Sequence, residues 1–350
     1  MRASITDVAG RAGVSTATVS RALRGLPHVS EATRERVLRA AEELSYSVSP
    51  HAAGLASGRT GTVGVVLPFV NRWFYGQVLA GIDAVLRAHD LDLLLHNLGD
   101  ARVHRRFFTR MPLRRRVDGL IVLNLPLSAP ETEALASMGV PVTVLGSRIP
   151  GFGGVCIDNR AGAATAVRHL INLGHRRIGM ITGAPDDPRG FATPIARREA
   201  YRATLTEAGI VPDSELEARG HAGIEEGAAA MARLLSLPDP PTAVFAESDQ
   251  MAFGALRTLR RMGLRAPADV SVIGFDDHET SELLDLTTIG QPVARQGELL
   301  ARQIIGALAG RGEEPGHTVV PTRLVIRGTT GPVRTARPSS RRPPEALTPP

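Results

Sequence analysis

The chain has no lysine: all 41 of its basic residues are arginine. Chemistry that needs a primary amine is thereby excluded, both Schiff-base catalysis and the phosphate-loop lysine of nucleotide hydrolases. A single cysteine, Cys156, leaves no partner for an intrachain disulfide and too few thiolates for a cysteine zinc cluster. No apolar run reaches the length that spans a bilayer, and Met1–Asp7 carries no signal-peptide apolar core. The expected compartment is therefore the reducing cytoplasm, with no membrane partner. Nucleotide and hydrolase motifs are missing as well. No Gly-x-Gly-x-x-Gly follows an apolar strand, no Gly-x-Ser-x-Gly elbow occurs, and Gly151-Phe152-Gly153-Gly154 opens no evident helix. No cofactor and no metal is expected, and an enzyme is the weaker reading.

What is present fits a globular chain. At 350 residues, 43% hydrophobic and 22% charged, it has the length for two or three domains with real cores. The net charge of +6 suits a polyanionic partner.

Residues 5–24 read as helix, tight turn, helix. Thr6 is placed to cap the first helix with Asp7 in its first turn, Gly13 supplies the turn, and Ser15 caps the second helix. In that second helix Val19 and Leu23 face inward, while Ala17, Arg21 and Arg24 line the opposite face. Small residues and arginines facing outward suit entry into a major groove; an ordinary amphipathic pair with a solvated basic face fits the same spacing. Ser30 caps a third helix from Glu31 to about Leu44, with Val37, Leu38, Ala41 and Leu44 on one face. Residues 1–60 hold eight arginines against five acids, a modest excess that calls for two copies to bind DNA well. A short helix over about 50–56 follows, weakened by Gly54, and a plain flexible linker fits there equally.

From Val63 onward short apolar runs alternate with amphipathic helices. Strands are expected at 63–67, 91–96, 119–123, 140–145, 178–182, 243–247, 270–275 and 324–326, and helices at 75–89, 160–173, 197–208, 224–237, 249–262 and 296–308. Such alternation over about 265 residues exceeds one doubly wound sheet and predicts two lobes. Ligands bind outside the carboxyl ends of such strands, which places loops near Pro68, Asn124, Gly146, Gly183, Ser248 and Asp276 around a site. The basic run Arg102–Arg116 reads either as a solvated helix face or as a nucleic-acid contact. The last twenty residues, rich in proline, serine and arginine, read as a disordered tail.

Taken together, Ile5-Thr6-Asp7-Val8-Ala9, Ala12-Gly13-Val14-Ser15, Thr18-Val19-Ser20-Arg21, Val29-Ser30, Thr33–Val37 and Leu55…Gly58-Arg59-Thr60 resemble the headpiece and hinge of the lactose-repressor (LacI-type) family of bacterial transcription regulators. Farther on, Arg116–Leu120, Asp158-Asn159-Arg160, Leu173–Ile178, Pro241–Phe245 and Val272–Asp277 resemble that family's effector domain, so the likeness covers about residues 4–330. The resemblance implies an all-α helix-turn-helix headpiece over 1–46, a hinge helix or linker over 47–61, and an α/β two-lobed, periplasmic-binding-protein-like effector and dimerisation domain over 62–330. The tail is 331–350.

Its functional implication is a repressor-type regulator. A homodimer binds double-stranded DNA at a pseudo-palindromic operator, under the control of a small-molecule effector, a saccharide or sugar derivative. Thr16 and Ala17 fall at specificity positions and Arg21 at a base contact. Thr6, Ser15, Ser20, Ser30 and Thr33 suit phosphates, Thr18, Arg24 and His28 complete the DNA face, and Leu55 is the minor-groove wedge. The effector-binding set is Phe74, Tyr75, Arg197, Ser248, Asp276 and Gln291. Each has a bland alternative: Arg197 pairing with Glu199, for example, or Asp276 capping a helix. The chain departs from family habit at Val48-Ser49, Ala53 and Gly54, which makes the hinge harder to order. Gly146, Ala222 and Ser248 depart at the pocket, which makes it roomier or less polar. A solute-binding protein shares the two lobes but not the helix-turn-helix, and no leucine-heptad tail points beyond a dimer.

Overall fold

A computed structural model describes residues 3–23, 25–46, 59–187, 190–221, 223–310 and 316–333. The expected hinge helix over 50–56, with Leu55, and the greater part of the C-terminal tail lie outside the described residues, as do Arg24 and Ala222.

Three helices, α1 (Ile5–Ala12), α2 (Thr16–Leu23) and α3 (Glu31–Glu43), close over a small core of Val8, Val19 and Val37 with five alanines around them. Alanine brings the helix axes close, so eight small residues make a core in so short a bundle. Two details differ from the sequence reading. Ser4, not Thr6, caps α1. Its hydroxyl accepts from the Asp7 N–H at 3.3 Å, and the Asp7 carboxylate accepts from the Ser4 N–H at 2.8 Å, a reciprocal box that starts the helix one turn earlier. Leu38 is 48% exposed, because α3 turns Val37, Ala40 and Ala41 inward instead.

The rest of the described chain folds into two six-stranded sheets. The first lobe holds β1 (Thr62–Leu67), β2 (Asp92–Asn97), β3 (Gly119–Leu123), β4 (Val142–Leu145), β5 (Gly153–Ile157) and β11 (His317–Val320), in the spatial order β2-β1-β3-β4-β5-β11. Its helices are α4 (Trp73–Arg87), α5 (Ala101–Arg110), α6 (Ala129–Ala136) and α12 (Val293–Leu308). The second lobe holds β6 (Ile178–Thr182), β7 (Glu217–Arg219), β8 (Ala243–Ala246), β9 (Ser271–Asp276), β10 (Thr287–Gly290) and β12 (Arg323–Val325), in the order β7-β6-β8-β9-β10-β12. Helices α7 (Asn159–Asn172), α8 (Ala192–Glu207), α9 (Ile224–Leu235), α10 (Asp249–Arg261) and α11 (Glu279–Leu283) belong to it. All strand pairs are parallel except β10 with β12. The two orders are the same doubly wound pattern, each completed by a strand from the chain's end. The chain therefore crosses between lobes three times, at 157–159, 290–293 and 320–323.

Every expected strand and helix is found, with ends shifted by a few residues. The basic run 102–110 forms α5, whose Arg102, Arg105, Arg106 and Arg110 are exposed. Among the described residues no helix is long and apolar enough to cross a membrane.

Helices α4 and α12 pack at van der Waals contact because each carries a glycine at the crossing. A Cβ on Gly81 falls 1.9 Å from the Ala294 carbonyl oxygen, and one on Gly297 falls 2.1 Å from that of Val78. Gly81→Ala is therefore expected to lower stability by about 1–3 kcal/mol as the helices are pushed apart. Gly76→Ala on the same helix, where no atom lies within 4 Å of the added Cβ, is expected to raise it slightly through helix propensity. Thermal unfolding of the two variants checks this, and a loss at both positions refutes the close-approach argument.

Candidate functional site

The candidate residues gather in two places, the outer face of α2 and the cleft between the lobes. On the headpiece, the Ser15 hydroxyl accepts from the Thr18 N–H at 3.1 Å and that of Ser30 from the Thr33 N–H at 3.3 Å, so both caps read from the sequence are formed. Two helix N-termini thus present orphan N–H groups and a positive dipole end, the elements that hold phosphates. Thr16, Ala17 and Arg21 are exposed on α2, with Thr18 and Ser20 half-buried beside them. Thr6 is exposed on α1, His28 is exposed in a turn at a left-handed φ of 68°, and Thr33 is half-buried. Other headpiece arginines are occupied in holding the bundle: Arg36 Nε donates to the Ala12 carbonyl at 2.9 Å and Arg34 Nη2 to that of Leu26 at 3.2 Å.

Between the lobes lies a cavity of about 420 Å³. Phe74, Tyr75, Arg197, Ser248, Asp276 and Gln291 all line it. The first two stand on α4 of one lobe, and the next three belong to α8, the start of α10 and the end of β9 in the other. Gln291 sits in a crossover. Loops after β1, β3, β4, β6, β8 and β9 all reach it, as expected for the carboxyl ends of parallel strands.

Arg197 is the centre of the floor. It is 5% exposed, and its guanidinium carbon stands 3.5 Å from the Phe275 ring centroid. Its Nε donates to Asn159 Oδ1 at 2.9 Å and Nη1 to the main-chain oxygen of Glu247. Asp276 ends β9 at a φ of 130°, a backbone conformation that side-chain-bearing residues seldom adopt. Its Oδ1 accepts from Gln291 Nε2 at 2.7 Å, and Gln291 Oε1 accepts from Gln296 Nε2 at 2.9 Å. This chain of amides runs from the second lobe through a crossover into α12 of the first. Two further acids are buried here. Glu247 accepts from Thr182 Oγ1 at 2.8 Å; behind it, Asp249 accepts from the His278 N–H, Ser281 Oγ and Thr288 Oγ1 at 2.8, 2.7 and 2.6 Å.

Three buried acids around one arginine set the electrostatics. Burial pushes the Asp276 carboxyl up to about 7, although the Arg197 charge pulls it down. Burial likewise raises Glu247 and Asp249 and lowers Arg197, the last opposed by the acids around it. A buried carboxyl near 7 beside a fixed guanidinium, with acceptor and donor on one wall, is suited to a pair of neighbouring hydroxyls. Aromatic rings from α4 offer apolar faces opposite.

The bland alternatives for two of these residues do not apply. Glu199 is taken by Arg160, and Asp276 caps no helix; the ring of His278 accepts at the start of α11 instead. Ser248, by contrast, also caps α10, its Oγ accepting from the Met251 N–H at 3.3 Å. The bare position at Gly146 is filled from across the cleft wall. A Cβ there would lie 2.6 Å from Asn124 Nδ2, so the Asn124 amide occupies that space, and its buried Oδ1 has no hydrogen-bond partner in the protein. Sequence reasoning missed Asn124, Asn159, Glu247 and Gln296 as lining residues. Asn124 and Glu247 follow directly from the rule that strand carboxyl ends face the site; Asn159 and Gln296 carry no local signal.

Comparison with known proteins agrees with both places. The family model "Bacterial regulatory proteins, lacI family" matches residues 4–49, and that of a "Periplasmic binding protein-like domain" matches residues 167–330. The HTH-type transcriptional repressor CytR of Escherichia coli is 35% identical over 335 residues, covering 94% of this chain and 96% of that protein. The HTH-type transcriptional regulator CelR of Thermobifida fusca is 35% identical over 93% of this chain and 98% of its own. Among solved structures, a lac repressor dimer bound to operator and the anti-inducer ONPF superposes with a TM-score of 0.81 at 29% identity, over 95% of this chain and all of that one. A CelR–cellobiose complex gives 0.69 at 34% identity, over 94% of this chain and all of that one.

Proposed function

The chain belongs to the lacI family of bacterial regulatory proteins and is a DNA-binding transcriptional regulator, and from that premise we propose that it is a repressor whose operator affinity is set by a saccharide or sugar derivative bound between its lobes. One observation carries this reading: six effector positions spaced over more than 200 residues of sequence converge on one cavity, around a buried arginine and a carboxyl poised near 7. Residues 1–46 are the reading headpiece, 47–61 the hinge, and 62–330 the effector and dimerisation unit. The protein works as a homodimer in the cytoplasm, by binding and not by turnover.

Ligand hydroxyls accept from Arg197 and donate to Asp276, and Gln291 orients that carboxylate. Asn124 Oδ1 takes a further donor. The lobes close around the ligand by pivoting at the three crossovers, two of which carry Asn159 and Gln291. A ligand shifts operator affinity only through different affinity for the two lobe arrangements, and the same factor returns as an effect of operator on ligand.

On the DNA side, Arg21 reads a guanine edge and Ala17 leaves apolar contact for a thymine methyl. The capped N-termini of α2 and α3 set register on phosphates. Selection of bound duplexes from a random pool, with and without a saccharide panel, is expected to enrich a pseudo-palindrome whose capture changes with one ligand. An unenriched pool sinks the reading. Replacing Thr16 and Ala17 together is expected to alter the enriched half-site at one or two base pairs, each worth about 1–3 kcal/mol. Ligand affinity is expected to stay where it was, and loss of both at once would contradict the division of labour.

A further inference from the structure

The floor of the cleft and its mouth are built from different materials. At the floor, Arg197, Asp276 and Gln291 are each less than a tenth exposed and bound into a polar network. At the mouth, two half-buried phenylalanines meet from opposite lobes: Phe69 in the loop after β1 and Phe191 just ahead of α8, ring centroids 5.9 Å apart and tilted by 39°. Beside them Arg72 bridges the lobes, its Nη2 donating to the His221 carbonyl at 3.0 Å while its guanidinium lies 5.8 Å from the Phe69 centroid. All four residues line the same cavity as the floor.

Size and chemistry lead the same way. One hexose ring on the floor fills less than half of about 420 Å³. The remaining space lies under aromatic faces, which pair with the flat apolar face of a ring and offer nothing to a shell of hydroxyls. We propose that the effector is a two-ring glycoside. Its glycosyl ring meets Arg197, Asp276 and Gln291, and its second flat ring packs in an outer subsite made by Phe69 and Phe191. This inference rests on the effector reading above. The second ring is another sugar, as in a disaccharide, or a base, as in a nucleoside; both present a flat face at the glycosidic carbon. Because Phe69 and Phe191 come from different lobes, the outer ring is gripped only when the lobes are together, which makes these two residues determinants of ligand choice.

Titration calorimetry on the full-length protein tests this, with glucose, galactose and ribose as one-ring probes, and cellobiose, maltose, lactose, adenosine and cytidine as two-ring probes. One two-ring compound is expected to bind at least tenfold more tightly than its own monosaccharide; the disaccharide and nucleoside arms tell the two sources apart. Phe69→Ala and Phe191→Ala are each expected to weaken that compound by about tenfold, in the range of a lost ring-stacking contact. The monosaccharide loses far less, and Phe191→Tyr restores most of the difference. Thermal unfolding of each variant separates loss of fold from loss of contact. Equal binding of one-ring and two-ring probes overturns the inference and leaves the effector reading standing, as does equal weakening of both by Phe191→Ala. Silence from every probe overturns both.

Discussion

Arg197→Met is expected to abolish the ligand response and to lower stability in a pH-dependent way. Methionine keeps the length of the side chain and its packing on Phe275, but removes the cation that three buried acids share. Truncating one partner of a buried ionic group typically costs about 3–5 kcal/mol, because the other charges stay buried without compensation. Here the cost depends on whether Asp276 and Glu247 can take up protons. Their carboxyls are already raised by burial, and loss of Arg197 raises them further. A raised folded-state value means that stability from these groups is full at low pH and is lost as pH climbs through it. The variant is therefore close to the parent protein near pH 5 and falls well below it at pH 8. Calorimetric unfolding at the two pH values checks the sign; an equal loss at both would mean that Arg197 acts through packing alone. Ligand affinity is expected to fall at least 100-fold, since a charged donor to the ligand disappears and the Asn159 amide loses its partner.

Asp276→Asn separates binding from stability. In the parent protein the carboxyl titrates at about 7, so ligand hydroxyls that donate to the carboxylate bind best above that value. Affinity is expected to drop toward tenfold per unit as pH falls below 7, and the asparagine variant is expected to bind weakly at every pH with no such slope. For the free protein the effect runs the other way. Between the unfolded value of 3.8 and the folded value of about 7 the native state holds a proton that the unfolded chain has lost. Stability from this group is complete below pH 4 and is lost as pH rises to 8, up to about 4 kcal/mol at 1.36 kcal/mol per unit. Asparagine carries no such loss and still accepts from Gln291 through its amide oxygen. At pH 8 the variant is thus expected to unfold at a higher temperature than the parent while failing to bind. A variant that is less stable at pH 8 would show that the ionised carboxylate is held favourably, against the burial argument.

Much of the architecture was legible because its signals are local. The strands found at 119–123 and 178–182 match the expected bounds to the residue; each is a continuous apolar run with both faces buried. The four strands that were missed lack that run. Gly153 and Gly154 open β5, where glycine is needed because a Cβ on Gly154 would lie 2.5 Å from the Val144 carbonyl oxygen. β7 is a three-residue edge strand with charged ends, and β11 alternates exposed and buried positions at the other edge. β10 carries Thr287 and Thr288, fully buried yet polar, which reads as a loop until Asp249 and Thr330 are seen to accept or share their hydroxyls. On the headpiece, Ser4 and Thr6 are both capping residues by type. Only the Asp7 carboxylate reaching back to the Ser4 N–H decides between them.

By itself the sequence determined a helix-turn-helix with hydroxyl-capped helices, a two-lobed alternation of strands and helices, and the six positions that face the cleft. All of these depend on residue type, period and spacing within short windows. Tertiary structure alone decided what those positions do to one another. It brought Glu247 and Asp249 beside Asp276 and so raised a carboxyl to about 7. It placed Asn159 and Gln291 at the crossovers, let Asn124 fill the space beside Gly146, and closed Phe69 on Phe191 across the mouth. Burial and the field of neighbouring charges are properties of segments that meet from far apart in the chain, and no periodicity along the chain encodes which segments those are.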